Sequence, residues 1–268
     1  MNLAFSLILK DTSEAAQTLH DIRAAGFQGF EPTFGLEATL PAAADPRASA
    51  EKLARLAQQA KLTIPSMRGG PGFWPTFASS DPAGRRAAVD LAAKALEALQ
   101  ILGGDTLLIV PGQWDPDQLY STVWNNALDT ARRLADLAER MQLNIALENV
   151  ENRFLLSPRE WMQFLDAVGS DRVRMYFDVG NIIYTRLGHP EQWLRELGKK
   201  YIRRIHFKDA TPGQVAYLLE GQVNWPAVRA AIEEIGYNDW IGIELNLPPH
   251  HPDAMLSATY LAAEAILK

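Results

Sequence analysis

Short apolar, β-rich runs recur along the chain and alternate with longer stretches of helical period. The runs lie near Leu3–Leu9, Gly29–Glu31, Leu62–Met67, Thr106–Val110, Leu143–Leu147, Val173–Phe177, Ile202–Phe207 and Trp240–Leu245. Such alternation predicts βα units around a parallel sheet. The helical stretches carry their own start and stop chemistry. Asp81 before Pro82 reads as an N-cap with proline at the first helical position, and Ser157-Pro158-Arg159-Glu160 as a capping box. Gly169 reads as a C-terminal stop, and Gly26 and Gly236 punctuate two further helices just before strands.

No linker or shift in composition divides these units, so the pattern predicts one (β/α)₈ TIM barrel occupying residues 1–268 as a single domain. An open doubly wound sheet is the weaker alternative. It lacks a phosphate-binding glycine motif after the first run, and Gly69-Gly70-Pro71-Gly72 after the third reads as a loop.

Composition narrows the function classes. With 47% hydrophobic and 22% charged residues, the chain suits a globular protein with a sizeable core. A formal charge of −6 without a basic stripe argues against nucleic acid as a partner. The opening apolar run has no positively charged lead-in and meets Lys10 and Asp11 at once, so it reads as a strand and not as a signal peptide; no membrane span is indicated. The absence of cysteine excludes disulfides, thiolate ligands and a cysteine nucleophile, and fits a cytoplasmic location. Any metal must therefore sit on oxygen and nitrogen.

In a TIM barrel the functional groups project from the C-terminal strand ends. The fifth run delivers Glu148 and Asn149, the sixth Asp178, the seventh His206 and the eighth Glu244. A lone acidic group at a strand end is more often a helix cap or an ion-paired residue. Four potential ligands on successive strands are a different matter, because clustered carboxylates repel one another unless a cation or shared protons neutralise them. The set Glu148, Asp178, His206 and Glu244 is expected to hold one divalent ion, with Mn²⁺, Mg²⁺, Zn²⁺ and Co²⁺ all suited to three carboxylates and an imidazole. His20 reads as solvated surface. His189, His250 and His251 remain candidates for the substrate side.

At Glu148 to Phe154, Asp178-Val179-Gly180-Asn181, His206-Phe207-Lys208-Asp209 and Glu244, the sequence resembles the sugar phosphate isomerase/epimerase superfamily, the xylose isomerase-like TIM barrels. Gly26-Phe27 leading to Glu31, Ser80-Asp81-Pro82, and Gly221 to Trp225 agree with it. The motifs look most like L-ribulose-5-phosphate 3-epimerase-like proteins. The resemblance implies that Glu148, Asp178, His206 and Glu244 ligate the metal and that Glu148 and Glu244 double as the acid/base pair. Free-ketose 3-epimerases carry a second glutamate, a histidine and an arginine where this chain has Phe154, Asn181 and Pro212, and Glu220-Gly221-Gln222 and Asn224-Trp225 also depart from the family pattern.

The implied reaction is a metal-dependent proton transfer beside a ketose or ketose-phosphate carbonyl through an enediolate, with the metal as Lewis acid. Two glutamates on opposite faces would give an epimerase. One base on one face would give an aldose–ketose, hydroxypyruvate or inosose isomerase, and loss of a β-hydroxyl a dehydratase. A non-catalytic sugar-binding barrel is a further alternative, against which the paired glutamates speak. Lys208, Arg68 and Arg153 are candidates for a substrate phosphate. Asn149 and Asn181 are candidates for hydroxyl recognition or ligand orientation, and Trp114, Phe73 and Trp74 for an apolar wall. The resemblance leaves homodimer and homotetramer open.

Overall fold

The computed structural model describes residues 1–35, 38–70, 72–248 and 250–268. Eight parallel strands close into a barrel: β1 (Asn2–Leu7), β2 (Gly29–Phe34), β3 (Ser66–Gly69), β4 (Thr106–Ile109), β5 (Asn144–Glu148), β6 (Val173–Asp178), β7 (Ile202–Phe207) and, after a hairpin of β8 (Asp209–Thr211) and β9 (Gln214–Ala216), β10 (Trp240–Glu244). The ring is sealed where β1 pairs with both β2 and β10. Around it lie α1 (Ala15–Ala24), α2 (Pro46–Ala60), α3 (Trp74–Phe77), α4 (Pro82–Leu102), α5 (Tyr120–Met141), α6 (Pro158–Val168), α7 (Val179–Tyr184), α8 (Pro190–Tyr201), α9 (Trp225–Glu234) and α10 (Pro252–Leu267). No helix among the described residues is long and apolar enough to cross a membrane.

The caps read from sequence are present. The Asp81 side chain accepts from Ala83 N at 2.9 Å, and Ser157 Oγ accepts from Glu160 N at 3.3 Å. The returning Glu160 carboxylate accepts from Leu156 N at 2.6 Å, so the reciprocal contact reaches one residue upstream of the cap. Gly169 closes α6 in the left-handed region at φ 78°. The third strand begins later than the apolar run suggests. Thr63 makes only an isolated bridge to Gly29, and Pro65, which has no N–H to give to a ladder, separates it from β3. Of the Gly69–Gly72 loop, Pro71 lies outside the described residues.

Strand residues alternate between two environments. Ile145, Leu147, Met175, Phe177, Ile205 and Phe207 are all fully buried and belong to the continuous apolar layer between strands and helices. Their neighbours point into the barrel, where contacts cross between strands that are not paired: Tyr176 on β6 and His206 on β7 both reach Glu31 on β2. The interior is therefore largely polar, with Ser6, Glu31, Ser66, Tyr176 and His206 beside a small apolar group of Leu108 and Ala146. Its floor is Arg204, whose guanidinium bridges Asp105 at 2.7 Å and Asp239. Small residues make this filling possible. A Cβ on Gly242 would come within 2.6 Å of the His206 ring.

The β8–β9 hairpin has no counterpart in the sequence reading. It is organised by Asp209, fully buried, whose carboxylate accepts from the backbone N–H of Ala210, Leu219 and Val223 at 2.8, 3.1 and 3.2 Å and from the Trp225 indole at 2.8 Å. Gly221 packs so closely here that a Cβ would lie 2.0 Å from Asp209 Oδ1. Asp209→Ala strands these donors. At ~1–3 kcal/mol for each buried donor left unmet, the variant is expected to lose about 3 kcal/mol or more of stability. Urea unfolding checks this, and a loss below about 1 kcal/mol would mean that water replaces the carboxylate.

Candidate metal centre

Three of the expected ligands are the last residues of their strands: Glu148 of β5, Asp178 of β6 and Glu244 of β10. His206 lies on β7 directly opposite Asp178 in register, and Glu148 lies opposite Tyr176. Parallel pairing of successive strands thus carries all four to one end of the barrel. One donor atom from each lies within 4.8 Å of the others. His206 Nδ1 is 3.1 Å from Glu148 Oε1 and 4.0 Å from both Asp178 Oδ2 and Glu244 Oε2.

The imidazole is held from behind. Its Nε2 is 2.7 Å from Glu31 Oε2, and the same carboxylate accepts from Ser6 Oγ at 2.6 Å, Ser66 Oγ at 2.5 Å and Tyr176 Oη at 2.7 Å. Pairing Nε2–H with a buried carboxylate fixes the ring and aims Nδ1 at the three clustered carboxylates, the arrangement in which a histidine is oriented to bind a metal. Asp178 is fixed similarly. Its backbone N–H donates to Asn149 Oδ1 and its carbonyl accepts from Asn149 Nδ2, each at 2.9 Å, while its Oδ1 caps α7 through Asn181 N at 2.7 Å.

Electrostatics make this cluster unstable as a set of bare anions. Burial, then repulsion from Glu244, pushes the Glu148 carboxyl up to about 7, and burial raises Asp178 as well. Burial would also raise Glu244, but Lys208, Arg68 and His206 outweigh it and hold Glu244 well below the usual carboxylate range. Burial opposes charge on His206, yet Glu31 and Glu148 raise its pKa to about 10. Glu31 is desolvated too, and the His206 charge and hydrogen bond with Arg68 bring it down to about 2.

The donor set fits a divalent ion. Asp178 Oδ2 is buried without a hydrogen bond, with the Lys208 ammonium 3.3 Å and the His206 ring 4.0 Å away as its ion partners among the described residues. Three carboxylate oxygens and an imidazole nitrogen form a hard, mixed site of the kind that Mg²⁺, Mn²⁺, Zn²⁺ and Co²⁺ accept, and ligation requires His206 Nδ1 to give up its proton.

A cavity of about 280 Å³ opens over the cluster, lined by Glu148, Glu244, Asn181, Lys208, Arg68 and an apolar side that includes Phe73 and Trp74. Lys208 contacts Asp178 and Glu244 and donates to Asn181 Oδ1 at 3.3 Å. Arg68 contacts Glu244 and donates to Thr33 Oγ1 at 2.8 and 3.1 Å. Both cations are thus engaged with carboxylates. Asn149 lies behind Asp178 and does not line the cavity, so its geometry is that of a positioning residue.

Trp114 and Arg153 are not brought to the cavity. The Trp114 indole donates to the Gln118 carbonyl at 2.9 Å and packs edge-on against Tyr120, which commits it to the loop before α5. Arg153 sits at φ 60° between buried Asn152 and Phe154, and its own side chain faces solvent. His20, His250 and His251 are exposed, and His189 is 3.9 Å from Glu191. Glu31 is the residue that sequence reasoning left out of the site. It lies mid-strand on β2, which runs on to Phe34, so the strand-end rule does not reach it; the signal it carries is an acidic residue inside an otherwise uncharged, fully buried strand.

Comparison with known proteins adds to this geometry. The inosose isomerase of Bacillus velezensis is 25% identical over 189 residues, 65% of this chain and 65% of that protein, so the chain spans just under two thirds of the relative's length. A D-tagatose 3-epimerase-like protein superposes with a TM-score of 0.84 at 19% identity, covering 100% of this chain and 97% of the other. The IOLI protein with a bound zinc atom gives 0.79 at 19% identity, covering 99% and 96%. At such identities the superpositions show the fold. The sequence model described as "Xylose isomerase-like TIM barrel" matches residues 19–263, nearly the whole barrel and all four clustered side chains, and the chain belongs to that family.

Proposed function

We propose that this protein is a metal-dependent isomerase or epimerase of ketoses, moving a proton at the carbon beside the carbonyl. The observation that carries the reading is the convergence of Glu148, Asp178, His206 and Glu244 within 4.8 Å beneath a cavity of sugar-sized dimensions. A divalent ion held by these four would supply Lewis acidity to a carbonyl and its neighbouring hydroxyl. Zinc is supported among the candidates by the zinc atom in the IOLI protein.

The chain's own groups supply the proton transfers. Glu148 and Glu244 stand on β5 and β10, separated by β6 and β7 around the ring, and so can address a substrate from two sides. A carboxyl on each side can in turn take and return the proton. Lys208 keeps Glu244 ionised, and Lys208 and Asn181 form the polar side of the cavity above it. Phe73 and Trp74 close one side against water. The identity with the Bacillus velezensis protein supports a second reading, a cyclic inosose as the carbonyl substrate of the same site.

The test is proton NMR in D₂O after incubating the Mn²⁺- or Zn²⁺-loaded protein with free pentuloses and hexuloses, their phosphates, hydroxypyruvate and inosose, the metal being chelated before spectra are recorded. Deuterium at carbon 3 with a C3 epimer is the result for an epimerase. Carbonyl migration identifies an isomerase, and loss of water a dehydratase. No exchange in any compound overturns the reading.

A further inference from the structure

We infer that the substrate carries a second, uncharged sugar-like unit, seated in a trough that runs from the metal centre across the β1/β10 seam to the β8–β9 hairpin. This deepens the proposed function and rests on it for the position of the reacting carbonyl.

The trough is a chain of three cavities with shared walls. The 280 Å³ cavity over the metal centre shares Ile8, Arg68, Lys208 and Glu244 with a second of about 190 Å³. That one shares Val215, Leu245 and Asn246 with a third of about 530 Å³ at the hairpin. The compartment farthest from the chemistry is the largest. The first alone is at or below the ~300–1,000 Å³ typical of small-ligand clefts, so a substrate matched to the whole trough exceeds one monosaccharide.

The chemistry of the far compartment selects its occupant. Gln214, Tyr217, Glu220 and Asn246 line it, and none of their side chains makes a hydrogen bond to another described residue. Two amides, a phenol and a carboxylate facing an open cavity offer both donors and acceptors to hydroxyl groups, and the half-buried Tyr217 adds an aromatic body. No Lys or Arg is among the described residues lining this compartment, and Glu220 would repel an anion. Arg68 and Lys208 stand at the metal-centre end of the path, beside Glu244 and Asp178, and do not line the far compartment. A neutral glycosyl unit meets these conditions, whereas a phosphate or carboxylate does not.

The experiment is calorimetry on the metal-loaded full chain with D-fructose, D-fructose 6-phosphate, and turanose, maltulose and isomaltulose, in which a glucosyl unit is attached to different hydroxyls of fructose. At least one glucosyl-fructose is expected to bind about tenfold or more tightly than D-fructose. In Ala216→Trp, which fills the far compartment, and in the Gln214→Ala/Asn246→Ala double variant, that advantage is expected to fall below about threefold, with thermal melts confirming that both fold. Equal or weaker binding of every disaccharide, tighter binding of the phosphate, or an advantage that survives both variants overturns the inference. Deuterium exchange followed in the same samples separates the two proposals. A disaccharide that binds preferentially without exchanging keeps the trough and removes the reaction, and fructose that exchanges without a disaccharide preference does the reverse.

Discussion

Glu148→Gln is expected to lower turnover by about 10²–10⁴-fold, the usual contribution of a positioned acid or base. The amide keeps the size and one oxygen of the carboxyl, so the buried position beside His206 stays filled. What it loses is the ability to exchange a proton. Elemental analysis is expected to show that the variant keeps part of its metal, because Asp178, His206 and Glu244 remain. Single-turnover isotope exchange is the measurement that isolates the chemical step. A rate within about threefold of the parent would remove Glu148 from proton transfer and leave it only a ligand.

The second large effect is expected at Glu31, which touches no substrate. Glu31→Gln is expected to weaken divalent metal binding by about 10–100-fold, the range seen when the group behind a ligating histidine is changed. The physical reason is directional. The carboxylate can only accept, so it forces Nε2 of His206 to be the protonated nitrogen and leaves Nδ1 to the ion; an amide can donate to Nε2 and reverse the tautomer. Metal titration by calorimetry reads the change. A carboxylate restored as Glu31→Asp should recover part of the affinity, and a Gln variant with unaltered affinity would make Glu31 a purely structural group. Glu31→Ala removes the acceptor for Ser6, Ser66, Tyr176 and His206 together. At ~1–3 kcal/mol per stranded donor this approaches the whole stability of an ordinary domain, ~5–15 kcal/mol, and that variant is expected to fold poorly.

Both predictions follow from how the barrel is filled. Its interior holds a connected polar group with only Leu108 and Ala146 as an apolar patch beside Tyr176, and its main apolar core lies outside the strands against the helices. A fully hydrogen-bonded interior of this kind fixes side chains in one arrangement, and every member is costly to remove singly. Here that rigidity forms the back wall of the clustered Glu148, Asp178, His206 and Glu244 side chains. Gly242 shows the same constraint in steric form, since only the missing Cβ leaves space for the His206 ring.

The sequence by itself determined the βα alternation, the helix caps at Asp81 and Ser157, and the four chemistry-bearing side chains that the last four barrel strands bring together near their ends. These were legible because they depend on local period, on capping chemistry, and on the rule that strand ends face one mouth. Only the tertiary structure decided what stands behind and beside those ligands. Glu31 and His206 are 175 positions apart, and Arg68 and Glu244 are 176, so no local pattern couples them. The engagement of Arg68 and Lys208 with carboxylates, the outward turn of Arg153 and the commitment of Trp114 to its own loop depend on ring closure and loop packing. The β8–β9 hairpin depends on the buried Asp209 collecting N–H groups from residues up to 16 positions away. Burial and pairing across a closed barrel set those outcomes, and a periodicity that reports only which way each residue faces along its own strand carries no information about what it meets on the other side.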